Sequence, residues 1–256
     1  MPLYNAEPIK RFVSRAGHGR SFLRRLPPDL GGCYFPASLE GGAKFLKPDL
    51  HRADEVLTRF AQDYVQPGSR VWDIGANVGL FTFTAAGLAG PQGEVVALEA
   101  DSWLVGNLRK AATANTGRGA PVAVLPVAAS DSFGVAEFNI AKTARATNFL
   151  TIGGGSTTTG GVREKQLVPT MPLDALLARF AAPRVLKIDV EGAEEFVLRG
   201  AGAVLRSRPT LLLEVLPAHS RAIHALLEPL SYSYIDAITR AVVELPTFNV
   251  IATRSR

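Results

Sequence analysis

The fold is decided by Arg70-Val71-Trp72-Asp73-Ile74-Gly75-Ala76-Asn77-Val78-Gly79, where a short apolar strand runs directly into a glycine-rich turn. Gly75 and Gly79 have no Cβ, so the backbone can turn tightly and approach a ligand closely. Residues 80–88 are typical of a helix, whose free N-terminal N–H groups would face a bound anion. The stretch therefore predicts a strand, turn and helix that bind the anionic end of a nucleotide cofactor.

A second apolar strand, residues 93–98, ends in the acid Glu99. An acid about 20 residues beyond such a turn commonly accepts hydrogen bonds from ribose hydroxyls. A dinucleotide-binding turn would carry a glycine where this chain has Asn77, which argues against a bound pyrophosphate. S-adenosylmethionine fits better, with Asp73 placed to reach its ammonium directly or through water. Alternatively, Asp73 and Glu99 are ordinary acids at strand ends beside a structural turn.

The composition is that of a globular protein with a sizeable core, since 47% of the 256 residues are hydrophobic and 20% are charged. We expect an N-terminal arm or cap over residues 1–50 and one cofactor-binding domain over residues 51–256. No apolar run has the length of a membrane span, and the N-terminus lacks the apolar segment of a secretory signal, which favours a cytoplasmic protein. The single cysteine, Cys33, permits no internal disulfide and suits a reducing compartment.

The N-terminal arm combines frequent prolines and glycine pairs with clustered positive charge, in a chain of net charge +5. Only short elements fit between these breaks, and we expect a helical arm. Its basic residues alternate with apolar ones, a pattern that could contact a membrane, an acidic substrate or nucleic acid. The alternative is a solvated basic face on helices that cover the core. The basic residues are Lys10, Arg11, Arg15, Arg20, Arg24 and Arg25.

Helices and strands alternate along the rest of the chain. The spacing of apolar residues predicts helices over 53–65, 102–115 and 172–182, and strands over 121–129, 134–140, 183–188 and 210–215. Residues 232–238 and 242–253 are typical of a closing antiparallel pair. This order predicts an α/β fold in which helices wind both faces of a mostly parallel sheet.

The loop Ala128-Ala129-Ser130-Asp131 follows the third of these strands. Ligands of open parallel sheets lie outside the carboxyl ends of the strands, so this loop is placed to flank the base of the cofactor. Asp131 is a candidate for binding the adenine amino group, or it simply starts the turn before Gly134. The Gly- and Thr-rich stretch 153–161 could order when a ligand binds, or be merely mobile.

The second informative stretch is 183–194, a buried strand closed by Asp189 and Glu191 that enters a helix at Gly192. Glu214, on the strand 210–215, lies toward the same edge of the predicted sheet. Glu191 could serve the cleft, or it could stabilise the N-terminus of the following helix.

In these motifs the chain resembles the FkbM-type S-adenosylmethionine-dependent methyltransferases over roughly residues 65–220. The run 187–194 is more specific than any glycine pattern. Where family members often have Glu-Pro, this chain has Glu99-Ala100, and a ribose contact needs only the carboxylate. The resemblance implies a Rossmann-like, seven-stranded class I methyltransferase sheet with an antiparallel C-terminal strand. It also implies methylation of a hydroxyl on a small molecule or sugar. The matching segments are 73–79, the strand that ends at Glu99, 173–174, 186–194, 198–201 and 213–215.

Methyl transfer from a sulfonium requires the nucleophile, methyl group and sulfur to be collinear, and a neutral hydroxyl benefits from a positioned base. We favour Asp189 as the substrate-positioning or basic residue, followed by His219 and then Glu191. His219 could instead be a surface or capping histidine. The predicted cofactor-binding residues are Asp73, Gly75, Ala76, Asn77, Gly79, Glu99, Ala100, Ala129, Ser130, Asp131 and Asp189.

Other functions compete with this prediction. Asp189 and Glu214 could hold a divalent cation, but no third ligand is evident, so we expect no metal, and Glu214 could instead pair with Lys187. The basic arm could track the phosphates of an RNA substrate, although we expect a small molecule or sugar and no nucleic acid. A non-catalytic protein could retain the cofactor for structural reasons. Asn77 and the absence of a hydride-transfer constellation argue against a nicotinamide dehydrogenase.

Overall fold

The computed structural model describes residues 20–142, 145, 148–151 and 161–254. Its strands are β1 Phe22–Arg25, β2 Tyr34–Ala37, β3 Arg70–Ile74, β4 Glu94–Glu99, β5 Val122–Pro126, β6 Ala128–Ala129, β7 Gly134–Ala141, β8 Phe149–Leu150, β9 Val162–Met171, β10 Val185–Ile188, β11 Thr210–Val215, β12 Tyr232–Asp236, β13 Val242–Val243 and β14 Phe248–Arg254. Its α-helices are α1 Glu55–Tyr64, α2 Leu80–Ala89, α3 Ser102–Ala114, α4 Glu194–Arg199, α5 Gly202–Arg206 and α6 Ser220–Leu227. Short 3₁₀ helices cover Pro28–Leu30, Ala43–Leu46, Leu173–Ala178, Pro217–His219 and Glu228–Leu230.

The main sheet has eight strands in the order β13-β12-β14-β11-β10-β3-β4-β5. Five neighbouring strands pair in parallel, in the order β5, β4, β3, β10 and β11. The other three, β14, β12 and β13, pair antiparallel. The expected mostly parallel sheet with an antiparallel C-terminal part is thus confirmed as a mixed sheet. Its parallel carboxyl ends meet at one edge, where ligands of such sheets bind.

Helices cover both faces of this sheet. Successive side chains of β3 alternate between the faces. Trp72 and Ile74 pack with α4, α5 and α6 on one side, and Val71 packs with α1 and α2 on the other. The doubly wound arrangement follows from this alternation, because both faces of the parallel strands are apolar.

The strand count differs from the expected seven. The extra strand is β13, two residues that pair with β12. We expected one continuous strand over 242–253, but it is divided between β13 and β14 around Pro246. Proline has no N–H to donate to a neighbouring strand, so the ladder is interrupted there.

The described part of the N-terminal arm, residues 20–50, forms a β-hairpin and two 3₁₀ helices rather than the expected α-helices. Most of its apolar residues are buried against α2 and α3, with Leu30 and Phe35 fully inaccessible to solvent, whereas Phe22 and Leu23 are exposed. The side chain of Asn115, at the end of α3, bonds to both the N–H and the C=O of Tyr34, each at 2.7 Å. The hairpin is therefore attached to the core by both apolar packing and backbone-like hydrogen bonds.

Two of the basic residues of this arm are bound to its own backbone. Arg24 donates to the carbonyls of Phe45 and Pro48, each at 2.7 Å. Arg25 donates to the carbonyl of Gly32. Lys10, Arg11 and Arg15, like most of the Gly- and Thr-rich stretch 153–161, lie outside the described residues.

A second sheet, with strand order β6-β9-β7-β8, was not anticipated in this form. Its strand β9 lies in a segment for which the sequence analysis predicted no element. The sheet packs through Phe138, Ile140, Leu150 and Val168 against Ala193, near the carboxyl edge of the main sheet. It thereby supplies an apolar wall beside the strand ends.

The segment predicted as a helix over 172–182 is instead a 3₁₀ helix, Leu173–Ala178. Asp174 lies in the first turn of this 3₁₀ helix, as expected. Its carboxylate accepts the N–H groups of Ala203 and Val204 at 2.8–2.9 Å, so it also caps α5. Among the residues that the structure describes, no helix is both long and apolar enough to cross a membrane.

Candidate active site

The turn after β3 lies against the loop after β10. Gly75 has φ +76°, and a Cβ on it would lie 1.9 Å from the carbonyl oxygen of Asp189. Gly79 begins α2 in the same left-handed conformation. Only glycine is compatible with position 75, because both the left-handed conformation and the close approach of Asp189 exclude a side chain.

A buried lysine joins these two loops. Lys187 Nζ lies 3.2 Å from Asp73 Oδ1 and 3.4 Å from Asp189 Oδ2, and it donates to the carbonyl of Gly75 at 2.6 Å. The second oxygen of Asp73 accepts from Thr82 Oγ1 at 2.5 Å. Burial lowers the pKa of Lys187, but the carboxylates of Asp73 and Asp189 outweigh burial and raise the pKa above its usual value. Asp73 is thus fully buried and engaged within the protein.

The acid at the end of β4 supports the turn. Glu99 accepts the N–H of Asn77 at 2.7 Å and that of Asp101 at 2.9 Å. Burial raises the pKa of Glu99 to about 7, although the two N–H donors oppose this. Asn77 has φ +51°, and its Oδ1 is buried without a hydrogen-bond partner among the described atoms. The turn therefore presents an unsatisfied acceptor beside a carboxylate.

A first cavity lies over the carboxyl ends of β3, β4 and β10. Its volume is about 70 Å³, and Phe138 and Leu150 of the second sheet form part of its lining. Gly75, Asn77, Glu99, Ala100, Ala129 and Asp189 of the predicted cofactor site line it. The other lining residues are Ile74, Leu98, Val127, Ala128, Phe138, Arg145, Asn148, Leu150, Val190 and Glu191.

Some predicted cofactor residues do not line the first cavity. Asp73 and Gly79 lie behind the turn, and Ala76 lines a neighbouring cavity. Ser130 donates its N–H to the carbonyl of Met171, and Asp131 accepts from Ser132 Oγ at 2.9 Å. The role of Asp131 at the adenine amino group therefore stays a prediction.

A polar network that the sequence analysis missed borders this cavity. Arg145 forms ion pairs with Asp101 and with Glu40, the latter at 2.6 Å. Asn148 donates to the same Asp101 carboxylate at 2.9 Å. Asp101 also caps α3 by accepting the N–H of Trp103. These contacts join the N-terminal arm, α3 and the cavity wall.

A second cavity, of about 330 Å³, adjoins the first. Asn77, Asp189 and Glu191 line both cavities, so they form a shared wall. The remaining polar or charged lining residues are Lys44, Asp54, Lys187, Glu214 and Asn249, and Lys44 is paired with Asp54 at 2.7 Å. The two cavities are therefore direct neighbours.

Three carboxylates meet on the side of this shared wall that faces the second cavity. One oxygen each of Asp189, Glu191 and Glu214 lies within 4.8 Å of the others. Oxygens this close could hold a divalent cation, but carboxyl groups also approach by sharing a proton. Partial burial and the neighbouring Asp189, which is hydrogen-bonded to it, raise the pKa of Glu214. Burial and Asp189 also raise the pKa of Glu191 to about 7.

Among the described residues, Glu191 donates or accepts no hydrogen bond at the N-terminus of the following helix. It precedes α4 in a left-handed conformation, φ +53°, with its side chain at the cavities. Glu194 anchors the loop instead, because its buried Oε1 accepts the N–H groups of Val190 and Gly192. Glu194 lies within the motif 187–194, but the sequence does not reveal this role.

His219 ends the 3₁₀ helix that follows β11. It does not belong to the described lining of either cavity. Its Nδ1 is buried without a partner among the described atoms. The structure therefore brings Asp189, Glu191 and Glu214 together but not His219.

Residues 73–235 match the sequence model of the methyltransferase FkbM domain. No curated protein matches the chain. Among solved structures, the chain is similar to the FkbM methyltransferase of Methylobacillus flagellatus KT, with 14% identity over 80% of this chain, 55% of that chain and a TM-score of 0.47. It is also similar to a precorrin-6y C5,15-methyltransferase of Geobacter metallireducens GS-15, with 17% identity and a TM-score of 0.46. This match covers 78% of this chain and 88% of that chain. The chain thus spans about half the length of the Methylobacillus protein, 55%.

Proposed function

Because the chain belongs to the family of FkbM methyltransferases, we propose that it transfers a methyl group from S-adenosylmethionine to a hydroxyl of a small molecule or sugar. The observation that carries this proposal is the wall shared by the two cavities. A cofactor in the first cavity and an acceptor in the second would meet at Asn77, Asp189 and Glu191.

The cofactor is S-adenosylmethionine, and the first cavity has the chemistry to hold it. The unsatisfied Oδ1 of Asn77 offers an acceptor to an ammonium, and Glu99 has lone pairs left for ribose hydroxyls. Phe138 and Leu150 provide an apolar wall for the adenine of the cofactor. When bound, this cofactor supplies a methyl group on a positively charged sulfur.

The other residues act by positioning. Asp73 holds Lys187, and Lys187 holds both the turn and Asp189. Asp189 thereby has a fixed position on the shared wall, where a carboxylate can accept a hydrogen bond from an acceptor hydroxyl. Orientation of this kind supplies about 7–11 kcal/mol in well-aligned reactions.

The charges of the second cavity favour a neutral or cationic acceptor. Its two lysines are paired with acids, Lys44 with Asp54 and Lys187 with Asp73 and Asp189. Glu191 and Glu214 add negative charge. A phosphate would be repelled there, which favours a hydroxylated small molecule over RNA.

We also propose a cytoplasmic location. The buried single Cys33 needs no oxidising compartment and is consistent with a reducing one.

The first test is calorimetric titration of the purified chain with S-adenosylhomocysteine and, separately, with NAD⁺. We expect the chain to bind S-adenosylhomocysteine and not NAD⁺. Radiolabelled methyl transfer to monosaccharides and hydroxylated metabolites then tests the acceptor class, with RNA at low and high salt as the competing substrate. Binding of neither cofactor, or salt-sensitive methylation of RNA alone, would contradict the proposal. In the same assay, Asp189→Asn should lower kcat more than it weakens cofactor binding.

A further inference from the structure

We propose that Glu214 is the general base that removes the proton from the acceptor hydroxyl, with Asp189 as its hydrogen-bonded partner. This inference rests on the proposed function of the same site.

A general base must lie within hydrogen-bond reach of the proton that it removes, and the location of Glu214 meets this requirement. It lines the second cavity but not the first, so it faces the acceptor side of the shared wall. It lies on β11, directly opposite Asn249 of β14 in the sheet register, and Asn249 lines the same cavity. A position on a paired strand fixes its backbone more firmly than a position on a loop would.

The charges around the three acids distinguish Glu214 from Asp189. Asp189 has the ammonium of Lys187 at 3.4 Å, and a neighbouring cation stabilises a carboxylate and lowers its basicity. Glu214 has no ion pair with a lysine or arginine in the described part of the chain, and it faces Asp189 and Glu191. Neighbouring negative charge makes a carboxylate a stronger base.

Glu191 is less suited to this role, because it borders the cofactor cavity as well as the acceptor cavity. Its negative charge is there available to the cationic sulfur. Glu214 is also the most exposed of the three acids, so a proton that it accepts has a route to solvent.

Methyl transfer to the acceptor hydroxyl releases one proton. The acceptor oxygen bonds to the methyl carbon as the carbon–sulfur bond breaks, and the electron pair of that bond stays on sulfur. The hydroxyl proton passes to Glu214, is shared with Asp189 and leaves to solvent. No oxidant, reductant or further reactant is needed.

The first experiment needs no acceptor. We expect the infrared spectrum of the protein with bound S-adenosylhomocysteine to show a protonated-carboxyl band near neutral pH. Glu214→Gln should remove the part of this band that is due to Glu214, while the parts due to Glu99 and Glu191 remain. The surface variant Glu244→Gln, whose side chain is exposed, should leave this band unchanged. Identical spectra of wild type and Glu214→Gln would overturn the proposal.

The second experiment measures transfer to an acceptor found among the hydroxylated compounds. Glu214→Gln should lower kcat by about 10²–10⁴-fold, the usual contribution of a general base, while KM and S-adenosylhomocysteine affinity change little. The limb of the rate that rises with pH should disappear in this variant, and Glu214→Asp should recover part of kcat. Unchanged kcat, or loss of cofactor affinity in parallel with kcat, would overturn the role of Glu214.

A third arm separates a base from a metal ligand and this inference from the proposed function. Activity should persist after treatment with EDTA. If EDTA abolishes activity and Mg²⁺ restores it, the role of Glu214 as general base is overturned. Wild-type failure to bind S-adenosylhomocysteine would overturn the proposed function itself. Normal cofactor binding with kcat unaffected by Glu214→Gln would overturn only the inference.

Discussion

Lys187 and Asp73 form an ion pair that is almost completely excluded from solvent, with 3% and 0% of their side chains exposed and 3.2 Å between Nζ and Oδ1. The two residues are also partners in the parallel register of β10 and β3. Because Lys187 reaches Gly75 and Asp189 as well, this pair joins the cofactor turn to the candidate catalytic loop. Stability and site geometry therefore depend on the same ammonium.

Replacing Lys187 with Met should lower the free energy of unfolding by about 3–5 kcal/mol, since it leaves buried carboxylates without their cation. Urea denaturation followed by circular dichroism measures this loss. The matched control is Lys165→Met, because the exposed Lys165–Glu137 pair should contribute about 0–1 kcal/mol. Adding Asp73→Leu to Lys187→Met should recover part of the loss, and equal losses for Lys187 and Lys165 would contradict the structure.

Glu99 should make stability depend on pH. Its pKa is raised from 4.5 to about 7 in the folded protein, so the folded state holds the proton to higher pH than the unfolded chain does. The resulting contribution is fully present below about pH 4.5 and is lost as pH rises through about 7, on the order of 3 kcal/mol in all. Glu99→Gln should reduce the slope of unfolding free energy against pH in this range, and the remaining slope should come from Glu191, whose pKa is also about 7.

The same variant tests ribose binding. We expect Glu99→Gln to keep its fold, judged by circular dichroism, and to bind S-adenosylhomocysteine about tenfold or more weakly, since a charged acceptor contributes about 1.5–3 kcal/mol. The control is Glu244→Gln, outside both cavities. Unchanged affinity would remove Glu99 from the ribose.

Site features that lie within one continuous stretch of sequence are the ones that the sequence predicts best. The turn from Gly75, the acid Glu99 and the loop from Asp189 each directly follow an apolar strand, so their meeting at one sheet edge follows from parallel pairing. The inward orientation of Asp73 does not follow, because it depends on the register between β3 and β10. Sequence reasoning therefore locates the site but not which face of the edge each acid occupies.

The wall of the first cavity is the part that sequence reasoning missed. Arg145 and Asp101 are 44 residues apart, and no periodic pattern links them. Strand β9 contributes through its pairing with β7, which brings Phe138 and Leu150 over the strand ends. Contacts of this kind arise from tertiary packing, and a single sequence shows them only as separate polar or apolar residues.

Arg145→Ala should weaken cofactor binding through this wall. It removes the cation beside the buried Asp101 carboxylate and one side of the first cavity. We expect a loss of about 3–5 kcal/mol in stability and faster release of S-adenosylhomocysteine, measured by denaturation and stopped-flow displacement. Arg109→Ala, on the exposed face of α3, is the control. An unaffected release rate would mean that the network supports only the fold.

Gly75→Ala tests whether the close approach of the two loops is essential. The new Cβ would meet the Asp189 carbonyl at 1.9 Å, and φ is +76°. Gly117→Ala is the matched control, because Gly117 has φ +77° but no atom within 4 Å of the added Cβ. The left-handed conformation alone costs an alanine about 1–2 kcal/mol, so Gly117→Ala should lose this much stability and keep full S-adenosylhomocysteine affinity. Gly75→Ala should lose more stability and bind the thioether at least about tenfold more weakly, because Asp189 and the turn must separate. If both variants lose the same stability and both bind normally, the contact between the turn and the loop after β10 does not shape the cofactor site.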